Sequence, residues 1–225
     1  MYALLIVQDP DEKAVAMVVL QRAGLTVTTA TELERAMQSW TQRPADLILV
    51  MLEGQDPAEA IRRIRAETDA PVVMVLSALT EAEHRTVLDQ GADLVIFRPF
   101  SSRLLITQVR ALMRRAGGVQ MFSLPNLRMA GLTLDPSTRS VEVAGQPLKR
   151  LTHLEFRLLY TLMIHRGQVL TPDIIVERVW GYSGKGDKEL VRGLVRRLRA
   201  KVEPDPASPR FVVTEPRVGY MFVDD

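Results

Sequence analysis

Five times within residues 1–116 a short apolar run is followed by a stretch whose apolar residues recur at helical spacing, and this alternation restricts the fold more than any other feature. The runs cover residues 3–7, 25–29, 46–52, 71–76 and 94–97. Short apolar runs bounded by polar or turn residues are the mark of strands buried in a parallel sheet. The helical pattern over 11–23 carries Val15, Val18 and Val19 and stops at Gly24. Thr31 with Glu34 predicts a capping box for a second helix to about residue 42, and Thr80 with Glu83 another for the fourth. Residues 57–67 and 101–115 supply the third and fifth helices. This alternation predicts an α/β doubly wound sheet of five parallel strands, with its site at the strands' carboxyl ends. Those ends hold Gln8 and Asp9, Met51 to Glu53, Ser77, and Arg98 before Pro99.

A chain of 225 residues has room for a second domain. Its charge is divided unevenly: residues 1–118 carry 13 Lys/Arg against 15 Asp/Glu, a balance of −2, and residues 119–225 carry 16 against 12, a balance of +4. The excess of positive charge in the second half points to nucleic acid. No run of eighteen apolar residues predicts a membrane span, and the N-terminal run turns acidic too early for a signal peptide. Cysteine is absent, so disulfides, thiolate catalysis and sulfur-bound zinc are excluded and the cytoplasm is the expected compartment. His84, His153 and His165 are scattered and form no base–nucleophile or metal spacing, so neither an enzyme nor a metal site nor a bound cofactor is expected.

The positive charge is concentrated in DKELVRGLVRRLRAKV, residues 187–202. On a helix, Lys188, Arg192, Arg196 and Arg199 share one narrow arc, while Leu190, Val191, Leu194, Val195, Leu198 and Val202 fill the opposite side. Arg197 and Lys201 lie on the far flank. A rod with one face to bury and a stripe of cations on the other suits phosphates and guanine edges in a major groove. Around it, residues 127–134 and 139–143 read as β runs joined by an Asp135-Pro136 turn, and residues 144–147 turn the chain into a third short strand. Thr152 with Glu155 caps a helix with Leu154, Phe156, Leu158, Leu159, Leu162 and Met163 as its core. Thr171-Pro172 opens a second helix that reaches Trp180. After the basic helix, two β runs around Glu215-Pro216-Arg217 predict a hairpin, so the second half reads as an α+β winged helix-turn-helix.

The blocks LLIVQDP, ADLILVML, VLSAL and GADLVIFRPFSSRLL resemble a response-regulator receiver domain over nearly all of residues 1–116, which implies the flavodoxin-like strand order. LTHLEFRLLYTL, VLTPDIIVERVWGY, VRRLRAKVE and VGYMF resemble the effector domain of OmpR/PhoB-type transcription factors. The resemblance implies a receiver-like domain at 1–116, a linker at 117–125 and a DNA-binding domain at 126–225. Lys188, Arg192 and Arg196 are then expected at the major groove, with Arg199, Arg197 and Lys201 as further DNA contacts and Arg217 on the wing. In some relatives the loop corresponding to 181–186 touches RNA polymerase. Trp180 and Tyr182 read as core and loop anchors.

Departures from the receiver pattern matter as much. The paired acids are Gln8 and Asp9, the phosphoacceptor place holds Met51, the hydroxyl is Ser77, and Arg98 stands for the lysine. A thioether accepts no phosphoryl group, and one acid of three binds Mg²⁺ poorly; Arg98 could instead pair with Asp9. The dimer face of this family usually carries charged pairs. Here His84 with Leu104, and Leu94 with Gln108, stand at two of their places, beside Leu88; Asp93 with Arg115 keeps its charges, and Val95 replaces the switch aromatic. Exchanging an interface ion pair for apolar contact can be neutral or stabilising. The expectation is a promoter-binding regulator that forms a homodimer without phosphorylation. A phospho-switch with another acceptor, such as Glu53 or Asp56, and a protein-interaction adaptor are the competing readings.

Overall fold

The protein is described by a computed structural model, which covers residues 1–40, 44–116, 125–182 and 188–224, without the side chains of residues 39, 115 and 116. Two compact units divide the chain, Met1–Arg114 and Arg115–Asp225. The linker expected at 117–125 falls, for 117–124, outside the described residues.

The first unit alternates β1 Tyr2–Val7, α1 Pro10–Arg22, β2 Thr26–Ala30, α2 Leu33–Trp40, β3 Leu47–Met51, α3 Pro57–Glu67, β4 Val72–Leu76, α4 Glu81–Gln90, β5 Leu94–Phe97 and α5 Ser102–Ala116. All five strands are parallel in the order β2-β1-β3-β4-β5. The connection reverses direction between β1 and β3, and Val7 pairs with Met51 there, so the carboxyl ends of these strands meet at one crevice. Every residue of β3 and β4 is buried, as apolar runs without alternation require. The capping box of Thr80 and Glu83 opens α4 as expected. For α2 the first helical bond runs from Ala36 N–H to the Glu32 carbonyl, which puts Glu32, not Thr31, at the cap. Glu34 instead ion-pairs with Arg63 of α3 at 2.7 Å.

At the opposite end of the sheet from the crevice, Arg65 of α3 gathers three chain segments. It donates to the carbonyls of Gly91 (2.9 Å) and Ala70 (2.5 Å) and ion-pairs with Asp93, which also accepts from the Val72 N–H at 2.9 Å. A guanidinium with several fixed acceptors can be buried where an unpaired one could not.

The second unit begins with a four-stranded antiparallel sheet, β6 Leu127–Met129, β7 Leu132–Asp135, β8 Ser140–Val143 and β9 Lys149–Arg150, paired in sequence order. Residues 127–134, expected as one run, divide into two strands. Ala130 and Gly131 both take positive φ (50° and 79°), the requirement of a tight two-residue hairpin. Helices α6 His153–Ile164, α7 Pro172–Val179 and α8 Lys188–Val202 follow, then the hairpin β10 Val212–Glu215 and β11 Gly219–Phe222. Thr152 and Glu155 form the expected capping box of α6, and Thr171 caps α7 ahead of Pro172. The six apolar residues predicted for α6 and the six for α8 are all buried, and Trp180 is a core residue. Gly193 is buried with them.

Candidate nucleic-acid interface and the altered receiver pocket

Helix α8 turns its apolar side onto α6 and α7 because Leu190, Leu194 and Leu198 recur every four residues. The opposite face leaves Lys188, Arg192 and Arg196 exposed. Arg192 is 56% exposed and faces Glu189 at 3.7 Å. These three residues match the stripe read from the sequence.

The remaining cations of α8 are placed differently from the expectation. Lys201 donates to the carboxylate of Glu155 at 2.7 Å and to the Arg150 carbonyl at 3.0 Å, so it ties α8 to the start of α6. Burial would raise the pKa of Glu155, but the charges of Lys201 and Arg197 outweigh it and hold the carboxyl below its ordinary value. Arg197 is half-buried on this flank. Arg199 donates through Nε and Nη2 to the Val212 carbonyl at 2.8 and 2.6 Å, and through Nη2 to Thr214 Oγ1 at 2.8 Å, with its guanidinium 6.0 Å from the Tyr220 ring centre. Partial burial lowers the pKa of Arg199 and raises that of Tyr220. Sequence spacing put Arg199 on the exposed arc; the hairpin folding back over that end of the helix takes its donors.

Two further residues place the wing, and neither was singled out from the sequence. Glu203, just past α8, is buried and accepts backbone N–H groups of Arg210 (2.8 Å), Phe211 (3.0 Å) and Val212 (2.7 Å). Gly219 lies so close to Leu170 that a Cβ would stand 2.0 Å from the Leu170 carbonyl oxygen. Leu170 and Tyr220 exchange backbone hydrogen bonds of 2.8 and 3.0 Å at that point. An acid beyond a helix end and a glycine in a hairpin are weak signals in a lone sequence. At the wing tip Arg217 is exposed and takes φ +66°. It shares with Lys188, Glu189, Arg192 and Tyr220 the groove between α8 and the wing.

In the receiver crevice, Met51 ends β3 with 1% exposure. Gln8 and Ser77 are exposed. Asp9 does not pair with Arg98 as expected. It is the N-cap of α1, accepting from Asp11 and Glu12 N–H at 2.9 and 2.8 Å. Arg98 is instead clasped by Glu12, one helical turn on, through two bonds of 2.5 and 2.8 Å, and donates to the Val75 carbonyl at 3.0 Å. These bonds to Glu12 raise the pKa of Arg98. Glu53 stands at the rim, 69% exposed and 4.0 Å from the guanidinium, and Asp56 caps α3.

The residues expected at a dimer face separate into two groups. Leu104 is 56% exposed, and His84 and Gln108 are partly exposed. His84 meets the edge of Phe97 with ring centres 5.2 Å apart. Leu88 and Leu94 are core residues, and Asp93, at 1% exposure, is bound to Arg65. The side chain of Arg115, its expected partner, lies outside the described residues, as do residues 183–186 of the loop associated with RNA polymerase in relatives.

Two protein families match this chain. The response regulator receiver domain matches residues 4–110, and the family described as transcriptional regulatory protein, C terminal, matches residues 145–222. This chain is a response regulator of the OmpR/PhoB type, with a DNA-binding effector domain. The regulator is similar over its whole length to two solved mutants of RitR, at 23% and 21% identity and TM-scores of 0.76 and 0.73, each covering 98% of both chains. The DNA-binding domain of Klebsiella pneumoniae RstA, solved in complex with the RstA box, is 26% identical over 45% of this chain and 100% of its own, with a TM-score of 0.41. No helix among the described residues is long and apolar enough to cross a membrane.

Proposed function

We propose that the regulator binds promoter DNA sequence-specifically as a homodimer and does so without being phosphorylated. The altered crevice carries this reading. A buried thioether occupies the acceptor place, the one remaining acid of the first pair caps a helix, and the cation that would meet a phosphoryl group is held by Glu12. Such a pocket offers neither an oxygen nucleophile on β3 nor the set of oxygen ligands that Mg²⁺ requires. With no cysteine in the chain, control does not run through a thiol. DNA contact falls to Lys188, Arg192 and Arg196 on α8 and Arg217 on the wing, which places the protein in the cytoplasm with its operator. The dimer forms through α4, β5 and α5, with Leu104, His84 and Gln108 at the surface and Leu88 and Leu94 supporting them from within. RNA polymerase is a further partner on this reading.

The test is to incubate the full chain with radiolabelled acetyl phosphate and Mg²⁺, then measure sedimentation and DNA affinity with and without the donor. The expected result is no label, and a dimer and an affinity that the donor leaves unchanged. Leu104→Asp should shift the dimer towards monomer; Leu94→Asp is unsuitable because it would place a charge in the core. Label that vanishes with Glu53→Gln would establish the phospho-switch instead. Failure to bind any duplex at low salt would favour an adaptor.

A further inference from the structure

We propose that α8 reads guanine, and that each half-site of this regulator carries two guanines about two base pairs apart; the inference rests on the DNA-binding role proposed above. In the major groove, adenine is recognised by the paired donor and acceptor of Asn or Gln, thymine by apolar contact with its methyl, and guanine by Arg or Lys donating to N7 and O6. Helix α8, KELVRGLVRRLRAKV, contains no Asn, Gln, Ser or Thr. Its apolar residues are buried, apart from Ala200, which is exposed in the last turn. A recognition helix presents its amino-terminal residues to base edges, and over the first nine residues of α8 the exposed side chains are Lys188, Arg192 and Arg196, with Glu189 partly exposed beside Arg192. Over these residues the helix therefore presents none of the Asn, Gln or exposed apolar side chains that pair with adenine or thymine.

The tertiary contacts narrow the choice further. Arg199 is bound to the wing and Lys201 to Glu155, so neither reaches outward. Arg192 and Arg196 carry planar donors able to span N7 and O6 together, whereas Lys188 is a single mobile charge that suits a phosphate equally well. Glu189 beside Arg192 restrains its guanidinium. Four helical residues advance about 6 Å, and successive bases on one strand about 3.4 Å. Two arginines at that interval reach bases roughly two steps apart.

The experiment selects duplexes from a library with a random core, using the full chain at fixed salt. The enriched half-site should contain two invariant guanines at that spacing. Replacing either by 7-deazaguanine, which keeps base pairing but removes the N7 acceptor, should weaken binding roughly tenfold or more. The same replacement of adenines in the half-site should leave binding unchanged. Arg196→Ala should relax the preference at one guanine alone. A half-site without invariant guanines, or indifference to 7-deazaguanine, would overturn the inference. So would variants at Arg192 and Arg196 that weaken all sequences alike with a shallower salt slope, the behaviour of phosphate contacts. If no duplex is bound at all, the DNA-binding role falls first and this inference with it.

Discussion

Arg192, Arg196 and Arg199 lie within two turns of one helix, and their surroundings give them different work. The first two are exposed, while Arg199 holds Val212 and Thr214 of the wing. Arg217 shows the converse case of a residue held against its own backbone preference. A positive φ costs an ordinary L-residue about 1–2 kcal/mol, and glycine is largely free of that cost. Arg217→Gly should therefore stabilise the effector domain by about 1 kcal/mol in urea denaturation while weakening DNA binding. If affinity is unchanged, the wing tip does not touch DNA. Met51, a buried thioether at the end of β3, carries no oxygen with which to bond a phosphoryl group, and the proposed independence of phosphorylation rests on it.

At the scale of elements, an ion pair with a buried carboxylate ties neighbouring elements together in each unit. Asp93 with Arg65 joins α3 to the amino ends of β4 and β5. Removing one partner of such a pair strands the other charge, so Asp93→Ala should destabilise the receiver by about 3–5 kcal/mol. An intact fold with a changed dimer constant would instead restore Asp93 to the interface. Lys201 with Glu155 joins α8 to α6, and Lys201 is 30% exposed, so Lys201→Met should cost about 3 kcal/mol, the lower end for such pairs. Glu155 has a folded-state pKa below its ordinary value of 4.5. Its contribution is therefore complete above the ordinary glutamate range and is lost as pH falls through the lower folded value. Acid should weaken the effector domain in that window, and Glu155→Gln should flatten the dependence. The fluorescence of buried Trp180, recorded in a Trp40→Phe background, reports it.

Across the whole molecule, two units with separate cores need not unfold together. Trp40 reports on the first and Trp180 on the second. Asp93→Ala should lower only the transition seen by Trp40, and Lys201→Met only that seen by Trp180. A single shared shift would mean that the units unfold as one. The same division separates the features described above: the first unit holds the crevice of Met51 and Arg98 and the exposed Leu104, and the second holds the exposed Lys188, Arg192 and Arg196 of α8 and Arg217 of the wing.

Much of this was legible from one sequence because it depends on period and local chemistry. Apolar runs and helical spacing determined the five strand–helix units, the winged helix and the buried faces of α6 and α8, and Thr–x–x–Glu determined two helix starts. That position 51 carries a thioether and no carboxylate was equally visible, since it is a matter of residue type. Pairing was not visible. That Glu12 rather than Asp9 holds Arg98, that Asp93 turns inward to Arg65, and that Arg199 and Lys201 face their own domain are all decided by partners distant in sequence. Period decides which side of a helix is apolar; which charges on the other side remain exposed depends on what packs across it, and only the tertiary structure supplies that.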